Sequence, residues 1–371
     1  MGSLGGYPGT RDLLRDRRPY QPPLHQLRST IHMSTTAETP AFPHRVAVLM
    51  GGISGEHEVS LKSGGGLVVA LEELGAEVLS VLVTREGEWV AGEVYGLIDV
   101  LALLRDYDVV IPAFHGVGGE DGTMQGLLET AGIRYVGAGV GASAIAMDKW
   151  WAKTVVADAG IRIAPALRLD PTDVPAAIAD PDALVARLAE RSISLPVFVK
   201  PNRGGSSIGG TKVTEIAQLP AALALATEGG DAVLIETEIV GREIDLGLLE
   251  HADGTLEVAP ALEIDADPNQ PFFDYAAKYT SGGSHFTVPA HLSDEVAADL
   301  ADQARRIFRV LGGRGLARID FFLDEQGPIF NEINTLPGLT AQSQYPQMWA
   351  ATGRSYPEVV RVLVERALAE G

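Results

Sequence analysis

The feature that most restricts the fold is a regular alternation of short apolar runs with helix-period segments, starting at Arg45. Residues 45–50 read as a buried strand, 59–74 as a helix stopped by Gly75, and 78–83 as a second strand. Residues 97–104 read as helix, 107–113 as strand, 124–132 as helix and 133–136 as a fourth strand. Alternation of this kind predicts a parallel sheet with crossover helices. The chain is rich in Ala, Val, Leu, Ile and Gly and poor in aromatics. That composition suits strands buried on both faces.

After a predicted helix over 144–158 the texture changes. Strands are expected over 196–200, 210–213, 232–236, 243–249 and 257–264, with a helix over 218–227. Longer helices are expected over 293–311 and 356–370. Residues 265–290 form a long polar stretch, the kind of loop that serves as a lid. The fold class is therefore α/β, turning α+β in the C-terminal half. A length of 371 residues predicts more than one domain. We expect a disordered leader over 1–43, an N-terminal α/β domain over 44–143, a central lobe over 144–236 and a C-terminal lobe over 237–371. The leader is Pro-rich and lacks a signal-peptide apolar core; Met33 is an alternative start.

Composition removes several function classes. A net charge of −20 argues against non-specific nucleic-acid binding. No run of 18 apolar residues is present, so no membrane-spanning helix is expected. The absence of cysteine excludes disulfides, thiolate metal sites and cysteine nucleophiles, and is compatible with the cytoplasm.

The densest chemistry lies in two short runs, 318–323 and 330–334, separated by a break at Glu325-Gln-Gly327. They read as a β-hairpin. Side chains two apart on a strand share a face, so Arg318 pairs with Asp320, and Glu332 with Asn334. If the turn centres near Gln326, Asp320 lies opposite Glu332 and Arg318 opposite Asn334. Three hard oxygen ligands beside one fixed cation suit Mg²⁺. Two lysines join them: Lys149 on a helix, and Lys200 at a strand end before the loop Pro201-Asn-Arg-Gly-Gly-Ser-Ser207. Backbone N–H groups and hydroxyls of such a loop can wrap an anion. Gly205-Ser-Ser-Ile-Gly209 matches a hydrolase elbow pattern, but it sits between two strands rather than before a helix. Gly137-Ala-Gly139-Val-Gly-Ala142 follows the fourth strand, where a dinucleotide fingerprint is not expected. No P-loop pattern occurs.

These motifs, with Gly51-Gly-Ile-Ser-Gly-Glu-His-Glu-Val-Ser60, His115-Gly-Val-Gly-Gly-Glu-Asp-Gly-Thr123, Met147-Asp-Lys149, Ala277-Lys-Tyr279 and Asn331-Glu-Ile-Asn-Thr-Leu-Pro-Gly338, resemble the D-alanine–D-alanine ligases. The resemblance runs from Arg45 to the C-terminus. It implies an ATP-grasp fold, in which two lobes enclose ATP beside an N-terminal parallel-sheet domain. It also implies peptidoglycan-precursor synthesis in the cytoplasm by a homodimer acting on D-alanine. By that resemblance Lys149, Lys200, Ser207 and Lys278 contact ATP, Glu236 and the Ile239 backbone read the adenine, and Glu243 takes the ribose. Asp320, Glu332 and Asn334 hold two Mg²⁺, for which Mn²⁺ is a substitute. Glu56 anchors the ammonium of the first D-alanine, with His115 nearby and Ser206 and Tyr279 linked to Glu56. Arg318 and the Gly338 backbone form the oxyanion site, and Ser343 holds the second substrate's carboxylate. The alternatives are a D-alanine–D-lactate or D-alanine–D-serine ligase, or a catalytically silent nucleotide-binding regulator.

Overall fold

The computed structural model describes residues 42–205, 208–265 and 285–370. Among them, strand β1 (Arg45–Gly51) is an interior strand of the first sheet. It runs parallel to β2 (Glu77–Val83) and to β5 (Val109–Pro112). Helices α1 (His57–Leu74) and α2 (Leu97–Leu104) lie in the connections. Gly75 closes α1 in the left-handed region at φ 85°, and its N–H reaches the Glu72 carbonyl. That cap suits a residue with no Cβ.

Two details of this sheet differ from expectation. A hairpin, β3 (Trp89–Ala91) and β4 (Glu93–Tyr95), extends its edge to give the order β4-β3-β2-β1-β5. Three-residue strands are too short for periodicity to reveal. The expected fourth strand at 133–136 shrinks to one parallel bridge between Tyr135 and Val110. The ladder stops there because its next donor would be the nitrogen of Pro112, which has no N–H; on the outer edge the Arg314 guanidinium stacks 4.5 Å from the Tyr135 ring and donates to the Gly137 carbonyl at 2.6 Å.

Helix α3 (Thr123–Thr130) precedes a second correction. The single helix expected over 144–158 is two: α4 (Val140–Met147) and α5 (Lys149–Asp158). Asp148 breaks them with an extended ψ of 100°, and its carboxylate accepts the Trp151 N–H at 3.0 Å. Asp is a strong N-cap, and here it makes Lys149 the first residue of a new helix.

The second sheet has the order β6 (Ala166–Leu169), β9 (Val233–Thr237), β7 (Val197–Pro201), β8 (Thr211–Val213), with antiparallel pairing throughout. Helices α6 (Val174–Ala179), α7 (Pro181–Ala189) and α8 (Leu219–Ala226) share its core, through residues such as Leu184, Leu188 and Leu223. The third sheet runs β13 (His285–Thr287), β12 (Leu262–Asp265), β10 (Arg242–Glu250), β14 (Leu316–Asp324), β15 (Gly327–Asn334), with β11 (Leu256–Val258) also on β10. The strand expected over 257–264 divides into β11 and β12 around Pro260, which has no N–H to give a ladder.

Helix α9 (Asp294–Val310) and α5 pack on one face of the third sheet through Ala152, Val156, Leu300, Ile307 and Phe308. Helices α10 (Gln344–Ala350) and α11 (Tyr356–Leu368) contribute Tyr345, Met348, Trp349, Val360 and Leu363 to a core shared with Val46, Val48 and Ile111 of the first sheet, Leu67 of α1, and Leu249 and Leu262 of the third sheet. The first and third sheets are thus fused by one apolar core, and the second sheet has its own. Trp349 is fully buried in the fused core. Trp349→Ala should cost about 3–5 kcal/mol and leave one cooperative transition in denaturant melts; a loss under about 1 kcal/mol would contradict the shared core.

Candidate active site

The β14–β15 hairpin has the expected pairs, Arg318 with Asn334 and Asp320 with Glu332, although its turn pairs Asp324 with Gly327 and so centres half a residue before Gln326. A register shift follows Asp320, so Asn331 is the extra residue of a bulge and the polar face lies on one side of it. Arg318 grips Asp320 with two 2.7 Å hydrogen bonds, from Nε to Oδ1 and from Nη2 to Oδ2. Asn334 Nδ2 donates to Asp320 Oδ2 at 3.0 Å. Burial works against the Arg318 charge, but Asp320, Asp245 and Glu332 more than offset it and push its pKa up. Among the described residues no group of three or more His, Cys, Asp or Glu stands ready around one point. The hairpin offers two carboxylates and an amide, a hard-oxygen set that fits Mg²⁺, an ion that takes few protein ligands.

Facing this hairpin is a chain of buried charges. Lys149 Nζ donates to the Gly204 carbonyl at 2.6 Å and lies 3.8 Å from Glu332 Oε2. Lys200 Nζ sits 2.5 Å from Glu236 Oε2, and Lys153 Nζ sits 2.9 Å from Glu236 Oε1. Burial would raise the Glu236 pKa, yet the two lysines hold it down at about 2. Burial likewise opposes the Lys200 charge, but Glu236 and Glu332 keep its pKa raised. For Lys153 burial prevails and the pKa is lowered. Lys153 was missed by sequence reasoning, although its place one helical turn after Lys149 puts it on the same face of α5. Glu243 lies on β10 opposite Phe322, and Ile239 lies between β9 and β10, where the second and third sheets join.

The N-terminal sheet delivers Glu56 at the start of α1. A Cβ added at Gly116 or Gly205 would lie 2.6 Å or 3.0 Å from Glu56 Oε2, so loops from the first and second sheets both close on this carboxylate. His115 shares a 2.9 Å hydrogen bond with Ser63 through Nε2. Burial pushes its pKa down to about 4, with help from the Arg318 charge and against a hydrogen bond to the Leu336 backbone. At neutral pH it is therefore an uncharged imidazole. Glu120, another residue missed, accepts the Gly116 N–H at 2.7 Å. Burial, then the Glu56 charge, raises its pKa to about 8. It lay inside the His115–Thr123 motif, where its type alone gave no signal.

The loop after β15 brings Gly338 against Ser343, whose Oγ lies 2.8 Å from where a Cβ at Gly338 would be. Ser343 holds the N-cap position of α10, yet its hydroxyl bonds Thr340 at 2.8 Å rather than capping the helix. Two residues absent from the sequence reading complete this edge: Asp245, opposite Asp320 on β10, and Gln344. Ser206, Ser207, Lys278 and Tyr279, and the body of the 265–290 loop, lie outside the described residues, as does the leader up to residue 41.

Glu120 gives a pH test. Between the ordinary carboxyl range and about pH 8 the fold holds a proton that the unfolded chain has released, so its contribution to stability falls as pH rises through that window. Glu120→Gln mimics the protonated acid. Its melting temperature should gain on the parent protein more at pH 8 than at pH 5. An equal difference at both pH values would refute the raised pKa.

A family model described as the D-ala D-ala ligase N-terminus matches residues 45–100 and 96–138, and one described as the D-ala D-ala ligase C-terminus matches 155–365. The chain is 41% identical to a D-alanine–D-alanine ligase of Corynebacterium aurimucosum, over 89% of this chain and 99% of that protein. It is 40% identical to one of Mycobacterium tuberculosis, over 88% and 96% respectively. Among solved structures it is similar to the VanG D-Ala:D-Ser ligase from Enterococcus faecalis, at 32% identity and a TM-score of 0.75, covering 88% of this chain and 99% of that one. It is also similar to the D-alanine–D-alanine ligase from Coxiella burnetii, at 28% identity and a TM-score of 0.73, covering 88% and 94%. With both family models matched along one chain that carries this hairpin face, the protein belongs to the D-alanine–D-alanine ligase family and has its ATP-grasp fold.

Proposed function

We propose that this protein joins two D-alanines into D-alanyl-D-alanine at the expense of ATP, through an acyl phosphate of the first D-alanine, for peptidoglycan precursors. The observation that carries the reading is the hairpin face of Arg318, Asp320, Glu332 and Asn334 set against Lys149 and Lys200. We place the reaction in the cytoplasm and the protein in a homodimer. No helix among the described residues is long and apolar enough to cross a membrane. We draw domain boundaries at 44–143, 144–236 and 237–371.

In this reading Lys149 and Lys200 neutralise the nucleotide's phosphates, with Lys278 and Ser207 from segments outside the described residues. Glu236 and the Ile239 backbone meet the adenine, and Glu243 the ribose hydroxyls. Asp320, Glu332 and Asn334 would hold two Mg²⁺, or Mn²⁺ in their place, which spread the charge of the transferring phosphoryl group. Glu56 holds the first D-alanine by its ammonium, beside neutral His115, and Ser206 and Tyr279 connect to Glu56. The carboxylate of that D-alanine takes the γ-phosphoryl group. The amine of the second D-alanine, held by its carboxylate at Ser343, then attacks the acyl carbon, and inorganic phosphate leaves. Arg318 and the Gly338 backbone stabilise the oxyanion formed in that attack. Excluding water matters, because an acyl phosphate exposed to it hydrolyses.

The similarity to a D-Ala:D-Ser ligase favours one second reading, with D-serine as the second amino acid. A coupled phosphate-release assay across D-alanine, L-alanine, D-lactate and D-serine separates the two. D-Alanine alone should support full turnover; a higher kcat/KM with D-serine as second substrate would favour the alternative. Glu332→Ala should lower D-alanine-dependent phosphate release on the order of 10²–10³-fold while the far-ultraviolet circular dichroism stays unchanged. Normal release by a folded variant would remove Glu332 from the metal set.

A further inference from the structure

We propose that Gln344 is a positioning residue that aims Arg318, linking the loop that carries Gly338 and Ser343 to the oxyanion arginine. This rests on the oxyanion role of Arg318 proposed above.

The placement begins at Gly247 on β10. A Cβ there would lie 3.1 Å from the Tyr345 ring and 3.2 Å from the Met348 sulfur, so α10 sits this close only because the strand has no side chain at that point. Tyr345 locks the contact by donating from its hydroxyl to the Leu248 carbonyl at 2.8 Å. Across the sheet Gly247 pairs with Arg318, and two residues back Asp245 pairs with Asp320. Residues two apart on a strand share a face, as do directly opposed residues. The first residue of α10, Gln344, therefore arrives over both Asp245 and Arg318.

Its amide bridges them. Gln344 Oε1 accepts from Arg318 Nη1 at 2.7 Å, and Gln344 Nε2 donates to Asp245 Oδ2 at 2.9 Å. The orientation cannot be reversed: a guanidinium has no acceptor and an ionised carboxylate has no donor. Asp245 Oδ2 also lies 3.4 Å from Arg318 Nε. Together with the two bonds to Asp320, the contacts engage three of the five guanidinium N–H donors. One donor on each terminal nitrogen is left for a substrate oxygen. A guanidinium gripped by Asp320 on one edge and by Gln344 at Nη1 has no freedom to swing. Preorganised donors of this kind stabilise developing charge without reorganising during the reaction. Gln344 also follows Ser343 directly in the chain, so a shift of the loop proposed to hold the second amino acid is felt at Arg318.

The test is a double-mutant cycle in the full-length protein. Gln344→Met keeps length and volume but removes both amide bonds; Gln344→Leu is the second variant should the first fold poorly. Arg318→Lys and the double variant complete the cycle. Dipeptide kcat, KM for D-alanine and for ATP, and thermal melts are measured for each. Gln344→Met should lower kcat about tenfold or more, with KM for ATP changed less than about twofold, and should cost less than about twofold further in the Arg318→Lys background. A purely structural role would give the same loss in both backgrounds, and that result overturns the inference. So does a kcat for Gln344→Met within about twofold of the parent. An unimpaired Arg318→Lys would instead overturn the oxyanion reading, which keeps the two failures apart.

Discussion

The bidentate ion pair between Arg318 and Asp320 is the interaction on which the site depends. The two residues are two apart on one strand, so their alignment follows from the pleat and needs no loop to hold it. Each charge is largely buried, and an unpaired buried charge is strongly destabilising. The pair answers this with further partners drawn from three neighbours: Asn334 from β15, Asp245 from β10 and Gln344 from α10. The sheet order β10-β14-β15 is thus also the order of the polar face. Removing any of these strands or the helix would leave the arginine's charge or the carboxylate's oxygens without part of their compensation.

The opposing wall has the reverse balance. Lys149, Lys153 and Lys200 face two carboxylates, Glu236 and Glu332. Within a chain of net charge −20 this is a local basic focus. The lysines and the hairpin carboxylates stand on opposite walls, with the 3.8 Å approach of Lys149 to Glu332 marking where they meet. Such an arrangement suits a ligand that is itself a polyanion carrying metal ions.

Much of this was legible in the sequence, for identifiable reasons. The polar pairs could be read from the local two-residue period and the break at 325–327, but the turn by itself would set Asp320 against Asn331; the bulge at Asn331, which the sequence did not show, shifts the register by one and restores Glu332 to that place. The helix stop at Gly75 and the buried strand at Arg45 were likewise local. What was missed is non-local. Gln344 and Asp245 acquire their roles only when α10 settles over Gly247, a contact spanning about a hundred residues of chain. Glu120 is raised by burial and by Glu56, neither of which its own neighbours reveal. The break at Asp148 was hidden by good helix formers on either side, although Asp before Lys-Trp-Trp is an N-cap signal. Strands β3, β4 and β6 are too short to show a period.

The distribution of cores bears on how such a site can admit substrate. The first and third sheets share one apolar core, whereas the second sheet closes on its own. The seam between the second sheet and the rest is polar. Lys149 donates to Gly204, the Lys149 N–H meets the Asn202 carbonyl, the Trp150 N–H meets Asn202 Oδ1, and Lys153 and Lys200 share Glu236. Parting an apolar core costs about 25 cal/mol per Å² exposed. A hydrogen bond traded for one to water changes stability by only about 0.5–1.5 kcal/mol. Opening is therefore least costly along the line where the charged groups gather. A fold that fused all three cores would hold these groups equally well but would give a nucleotide and two amino acids no inexpensive way in.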